Sequence, residues 1–380
     1  MKTSMVIILG VAFFISGAAA QETQSSALVE TRAIWVDKSD IYKGKEYMTQ
    51  MLDALTSANF NVVCLPTMHR GYVGYRESAY LPIDPRMAEI DPDYLQWLIT
   101  ESHNRGLLTE AWPEYGYYSF HTPDATKITT RGPMLDKYPQ LTAIDVNGTP
   151  YLHNKWGDFY SLCPANPESQ EIMTGMFLEM VSKFTFDGLN LDRIRYPTND
   201  FCFCPYCTEH FKQDTGFELS AESVKDKKVL QAFYEWRKKQ LNVFMKNLSS
   251  KLRTARPDLL ITADVWPPAQ NQINEKGQDW GVWIKQGYID VAIPMMYQVN
   301  IEKTVEECIQ VTENPQLLMC GISAEVQDSE ALANQVRTAR AKGASGVVIW
   351  YLGMAVDDLE YLKENVFQTP ARPYLQKNIQ

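Results

Sequence analysis

The sequence predicts an α/β fold: a (β/α)8 TIM barrel with enlarged loops after strands three and four. From Thr31 onward, eight short apolar runs rich in β-branched residues alternate with helical patterns, the signature of a parallel sheet wrapped by helices. The first run leads into Asp37-Lys-Ser-Asp40 instead of the Gly-rich turn of a doubly wound sheet. The roughly 335 residues that follow suit a barrel with extended loops.

Taken in order, the first twenty residues read as an export signal. Lys2 precedes the apolar run Met5 to Ile15, and Ser16-Gly-Ala-Ala-Ala20 supplies small residues at the cleavage positions. The apolar run is shorter than the ~20 residues that span a bilayer. A mature chain over 21–380 is expected, forming one catalytic domain in the periplasm or outside the cell, with no membrane insertion after cleavage. The eight strand runs are Arg32–Val36, Asn61–Leu65, Leu107–Ala111, Gly188–Asp192, Leu259–Asp264, Ile289–Pro294, Leu317–Gly321 and Gly346–Trp350. Helical patterns fall at 46–58, 93–105, 168–183, 231–255, 277–286, 302–312, 329–342 and 357–365. The connections 112–167 and 193–230 far exceed an ordinary βα loop, and both follow the end of a strand, which puts them on the face where such barrels place active sites.

Composition narrows the partners. The 380 residues hold 46 acidic against 36 basic side chains, a formal charge of −10, which repels phosphate backbones and excludes nucleic acid as a natural partner. The loop after strand three concentrates Trp112, Tyr115, Tyr117, Tyr118, Tyr151, Trp156, Phe159 and Tyr160. These form either a satellite core or flat platforms for sugar rings.

The last inward residue of each barrel strand faces the pocket, and here those positions are polar. They give Asp37; His69 and Arg70; Glu110 and Glu114; Asn190, Asp192, Arg193 and Arg195; Asp264 and Trp266; Tyr297 and Gln298; Ser323 and Glu325; and Trp350. Asp192 closes an apolar strand and is followed by two arginines that can hold it ionised. Thr262, Asp264 and Trp266 share one side of strand five. Glycoside hydrolysis needs two carboxylates flanking the bond. The expected set is therefore Asp192 as nucleophile or base and Asp264 or Glu325 as acid, with Glu110 as a further carboxylate candidate. Arg193, Arg195, Trp112, Glu114, Trp266, Tyr297, Trp350, His69 and Asp37 are expected to bind substrate. Each has a plainer reading, as an ion-paired structural carboxylate, a helix cap or core.

Cys202-Phe-Cys204-Pro-Tyr-Cys207 has thiolate-ligand spacing. With Cys163 or His210 as fourth ligand it makes a closed tetrahedral zinc site, structural and not catalytic. The alternative is a disulfide from Cys163 to one of the three, which an oxidising compartment permits. Cys64, Cys308 and Cys320 read as core thiols. Five histidines, none in an H-x-H or H-x-x-x-H arrangement, give little support to a metal-dependent hydrolase, and no catalytic cofactor is expected.

The segment Asp187-Gly-Leu-Asn-Leu-Asp192-Arg-Ile-Arg-Tyr-Pro197, together with Asp290-Val-Ala-Ile-Pro-Met-Met-Tyr297 and Arg32-Ala-Ile-Trp-Val36, resembles the family-10-like glycosyl-hydrolase-like barrels of bacteria. The resemblance implies an exported glycosidase-like barrel over about 31–365 with Asp192 as the functional strand-four carboxylate. Thr262-Ala-Asp264-Val-Trp266 is similar to a neighbouring group of glycosidase barrels. The cysteine cluster is similar to the zinc-binding cysteines of some β-galactosidase barrels. Those carry Asn-Glu at strand four where this chain has Leu191-Asp192, so their acid does not transfer. The expected function is cleavage of a polysaccharide or oligosaccharide, the alternative a glycan-binding barrel without catalysis.

Overall fold

The structure, a computed structural model, describes residues 28–123, 130–268, 272–326 and 328–374; the expected export signal lies outside them. Eight parallel strands form the barrel: β1 (Thr31–Trp35), β2 (Val62–Pro66), β3 (Leu108–Trp112), β4 (Gly188–Leu191), β5 (Leu260–Val265), β6 (Val291–Pro294), β7 (Met319–Ser323) and β8 (Gly346–Trp350). Their spatial order is β6-β5-β4-β3-β2-β1-β8-β7, and the bridges Ala292–Leu318 and Met295–Gly321 close β6 onto β7. No described helix is long and apolar enough to cross a membrane.

The two-residue side-chain period of the strands divides the core. Ala33, Trp35, Val62, Cys64, Trp112, Val291, Ile293, Met319 and Val348 fill the lumen. Ile34, Val63, Leu65, Leu189, Leu191, Ile261, Ala263, Ile322 and Ile349 face outward into the apolar layer shared with the helices. Three of the helices that wrap the barrel begin at a carboxylate or amide side-chain cap. Asn166 accepts from the Glu168 amide ahead of Pro167–Lys183, Asp226 from Lys228 ahead of Lys227–Ala255, and Asp328 from Ala331 ahead of Ser329–Ala341. Each such cap is worth about 1 kcal/mol. At the N-terminal end of the barrel, Arg32 bonds Glu30 at 2.7 Å and Arg340 bonds the same carboxylate at 2.8 Å, a stabilising network on the face remote from the long loops.

The loop after β3 builds a small antiparallel sheet from Tyr118–Thr122, Leu152–Asn154 and Gly157–Ser161, which makes a satellite core of most of the aromatics noted in the sequence. Tyr115, Tyr117, Tyr118 and Phe120 are buried, whereas Trp156 is 60% exposed at the turn between the last two strands. This loop packs against the end of β4. A Cβ on Gly116, whose φ is +45, would stand 2.1 Å from the Asp192 carbonyl oxygen, so only glycine permits the approach.

Candidate active site

The strands β3, β4 and β5 and the turns after them bring four carboxylates together, Glu110, Glu114, Asp192 and Asp264, and Glu110, Asn190, Thr262 and Asp264 occupy inward positions on adjoining strands. Their registers are fixed by the pairings Glu110 with Gly188 and Thr262 with Asn190. A chain of hydrogen bonds runs through them. The Trp35 indole N–H donates to Asn190 Oδ1 at 2.8 Å. Asn190 Nδ2 donates to Asp264 Oδ1 at 2.9 Å and to Thr262 Oγ1 at 3.1 Å. The Thr262 hydroxyl donates to Glu110 Oε2 at 2.9 Å. Glu110 fits because its neighbour in the barrel is glycine: a Cβ on Gly188 would lie 2.8 Å from Glu110 Cγ.

The carboxylates differ in what surrounds them. Asp192 accepts the Arg193 amide at 2.6 Å, lies 3.5 Å from Arg195 Nη1, and has Arg193 Nε at 3.9 Å. Burial pushes its carboxyl up, and the two guanidiniums oppose that rise. Among the described residues Asp264 has only Asn190 as a side-chain donor; burial and the charge of Asp192 push it well above the carboxylate range, against Asn190 and Arg195. Burial raises Glu110 to about 7, against the Thr262 hydrogen bond.

Glu114 moves the other way. Burial favours its neutral form, but His69 and Arg193 override this and hold it at about 2. His69 Nδ1 lies 2.6 Å from Glu114 Oε2 and Arg193 Nη2 lies 3.2 Å from Oε1. Burial also lowers His69 itself, outweighing the pull of Glu114. The two directions are compatible when Arg193 supplies the full positive charge and a neutral His69 donates its Nδ1 proton; this tautomer is assigned from the network. Nε2 of His69 is then a buried acceptor, and among the described residues it has no partner.

Aromatic rings wall the mouth. Trp35, Trp112 and Trp350 meet with centroid separations of 6.3, 5.9 and 5.7 Å, and Tyr297 lies 6.3 Å from Trp350. Arg195 lies over Tyr118 and Trp266, and Arg193 over Tyr115 and Tyr118. The indole nitrogens of Trp112 and Trp266 and Nη1 of Arg193 are buried donors without a partner among the described residues, the kind of edge a sugar hydroxyl satisfies.

Two expected site residues stand apart from this cluster. Glu325 is exposed, in the short turn Ala324–Val326 after β7. Asp37 caps the short helix Lys38–Ile41 by accepting the Ser39 amide at 2.8 Å. Conversely, Trp35 carries the network and was not singled out from sequence, although strand parity marks it as inward, while Asn190 and Thr262 were placed on the inward rows but given no role. The four cysteines expected as ligands do meet: the sulfurs of Cys163, Cys202, Cys204 and Cys207 all lie within 4.8 Å of one another, all buried.

A model of the family described as Glycosyl hydrolase-like 10 matches residues 30–317. Among curated proteins, "Glycosyl hydrolase DigH" of Escherichia coli strain K12 is 22% identical over 223 residues, 54% of this chain and 46% of that protein. The chain thus spans about half the length of the curated relatives it matches. Among solved structures, the PgaB (BpsB) glycoside hydrolase domain from Bordetella bronchiseptica matches with a TM-score of 0.68 at 16% identity, covering 88% of this chain and 98% of that one. The α-L-fucosidase isoenzyme 2 from Paenibacillus thiaminolyticus matches at 0.60 and 15%, covering 88% and 50%. At these identities the likeness is one of fold.

Proposed function

The chain belongs to the glycosyl hydrolase-like 10 family, and from that premise we propose that it is an exported glycoside hydrolase acting on a polysaccharide or oligosaccharide, with Asp192 and Asp264 as its carboxylate pair. The observation that carries this reading is the contrast between two buried carboxylates at one mouth. Asp192 is faced by two guanidiniums and a backbone N–H. Asp264 is offered a single neutral side-chain donor and faces the charge of Asp192. Environments that separate two carboxyl groups in this way sort them into roles.

Asp264 keeps its proton and gives it to the leaving glycosidic oxygen. Asp192, ionised, attacks the anomeric carbon or takes a proton from the attacking water. Trp350 and Tyr297 offer faces to the sugar rings, Trp112, expected from sequence as a third platform, is buried in the lumen beneath them, and His69 Nε2 and Arg193 Nη1 offer an acceptor and a donor to hydroxyls. The export signal read from residues 1–20 supports a periplasmic or external site of action, and the single barrel supports one catalytic domain.

The test is release of new reducing ends from a panel of cell-wall and dietary polysaccharides, with Asp192→Asn run in parallel. Wild type should cleave at least one, and the variant should lose at least about 100-fold in rate with its far-UV circular dichroism unchanged. Binding without cleavage by both proteins would refute the assignment and leave a glycan-binding barrel.

A further inference from the structure

We propose that Cys163, Cys202, Cys204 and Cys207 bind one zinc ion as a structural tetrathiolate site, and that this cluster is the counter-charge of Arg237, which clasps together the loops after β4 and β5. The proposal concerns the frame of the mouth and stands whether or not the barrel cleaves glycans.

The sulfurs have the spacing of a coordination shell. Metal–sulfur bonds of ~2.3 Å in a tetrahedron set sulfur atoms about 3.8 Å apart. Cys163 lies 3.4 Å from Cys207 and 3.6 Å from Cys204. All seven cysteines of the chain are free. Three ligands come from one stretch after β4, and the fourth comes from the far end of the β3 loop, so a bound ion cross-links two loops 39 or more residues apart in sequence. Four thiolates leave no open position, which makes the site structural. Thiolate ligands select zinc or iron over hard cations, and the test below separates the two.

Arg237 supplies the independent observation. Its guanidinium is fully buried, and its hydrogen bonds run to carbonyl oxygens alone. It donates to Thr198 and Asn199 at 3.0 Å each and to Phe201, all after β4, and to Asn274 at 3.2 Å and Glu275, both after β5. No carboxylate pairs with it among the described residues, although a buried cation demands a compensating charge. Its neighbours are the rings of Tyr196, Phe233 and Tyr234, and the Phe201 carbonyl it holds is joined by one peptide bond to the ligand Cys202. Four protonated thiols or a disulfide would leave it uncompensated. A zinc ion on four thiolates carries a net charge of −2 and answers it.

The clasp reaches the candidate active site. Phe201, whose carbonyl Arg237 holds, precedes the ligand Cys202 in sequence. On the other side, Glu275 leads through Lys276, whose ammonium bonds the Pro197 carbonyl at 2.6 Å, to Gln278. Gln278 in turn holds the Asp264 carbonyl and the Trp266 amide at 3.2 Å each. Gly277 lies against Tyr196, where an added Cβ would stand 2.9 Å from the ring. The metal therefore fixes where Trp266 sits beside Asp264.

The experiment is elemental analysis of the full chain purified without added metal, followed by stripping with a mercurial and reloading with cobalt(II). One zinc per chain is expected, and the cobalt form should show intense thiolate-to-metal charge transfer with tetrahedral d–d bands. On stripping, amide hydrogen exchange should accelerate at least tenfold across 196–207 and 272–278 while the β1 and β2 amides stay protected. Arg237→Met should open 272–278 in the same way in metal-loaded protein. Iron in place of zinc, absence of metal, or a disulfide involving Cys163 in the non-reduced peptide map would overturn the site. Zinc with unchanged exchange at 272–278 after stripping would overturn the clasp.

Discussion

Replacing Glu110 by Gln probes the carboxylate chain at its buried end. Glu110 is 3% exposed and accepts the Thr262 hydroxyl; burial raises it from the usual 4.5 to about 7. A folded-state pKa above the unfolded one means that the stability is full below about 4.5 and is lost as pH rises through 7, because the unfolded chain ionises first. The full span corresponds to roughly 3 kcal/mol at 1.36 kcal/mol per tenfold change. Gln keeps an oxygen for Thr262 and never ionises, so it reproduces the protonated state at every pH. Relative to wild type, Glu110→Gln should therefore gain about 2 kcal/mol in stability between pH 5.5 and pH 8. Urea unfolding of both proteins at several pH values, with m measured each time, reads that difference directly. A constant difference across the range would show that Glu110 carries no proton near neutrality.

Asp264→Asn should abolish the basic limb of the kcat/KM profile and slow substrates with poor leaving groups about 100- to 10,000-fold, while substrates with activated leaving groups suffer far less; an equal loss on both would remove Asp264 from the acid role. His69→Ala strips Glu114 of a charge-assisted hydrogen bond at 2.6 Å and should cost about 2 kcal/mol at pH 7, measured by urea midpoint. Because Glu114 is held at about 2, the stability it contributes is present above its usual value of 4.5 and lost as pH falls through 2, so wild type and His69→Ala should converge in stability toward that pH. Gly188→Ala places a Cβ 2.8 Å from Glu110 Cγ and should cost about 1–3 kcal/mol. Adding Glu110→Ala should recover most of that loss, and additivity of the two would place the strain elsewhere.

The eight strands were legible because a barrel strand is a short apolar run with one face on the lumen and one on the helices, and both faces were written into the period of the sequence. Gly346–Trp350 is found as expected, and the other seven runs overlap their strands with ends shifted by one or two residues. The long loops were legible as lengths, but their contents were not. The antiparallel sheet over 118–161 depends on pairings such as Phe120 with Tyr160, which local periodicity does not record. The mouth was half legible: parity on β4 and β5 put Asn190, Asp192, Thr262 and Asp264 on inward rows. Glu325 and Asp37 share the strand-end position but turn to solvent or to a helix cap, because the residues after β7 and β1 enter short helical turns at once.

What sequence could not carry is the direction of the hydrogen bonds, and direction sets how far the carboxylates separate. The Trp35 N–H occupies Asn190 Oδ1, so the amide must turn both of its hydrogens toward β5, one to Asp264 and one to Thr262. Thr262, having accepted, is left to donate, and the acceptor in its reach is Glu110. Asp264 thus receives one neutral donor, too little to hold a buried charge beside Asp192. Asp192, one residue past the end of β4, is met by the guanidiniums of the turn it begins. Two aspartates that read alike in the sequence are pulled apart by the guanidiniums beside one and the burial of the other, while the indole across the lumen limits the gap by aiming an amide N–H at Asp264; Trp35→Phe, which frees the Asn190 amide to turn its oxygen toward a protonated Asp264, should raise Asp264 further and widen the pH interval over which both forms required for turnover coexist.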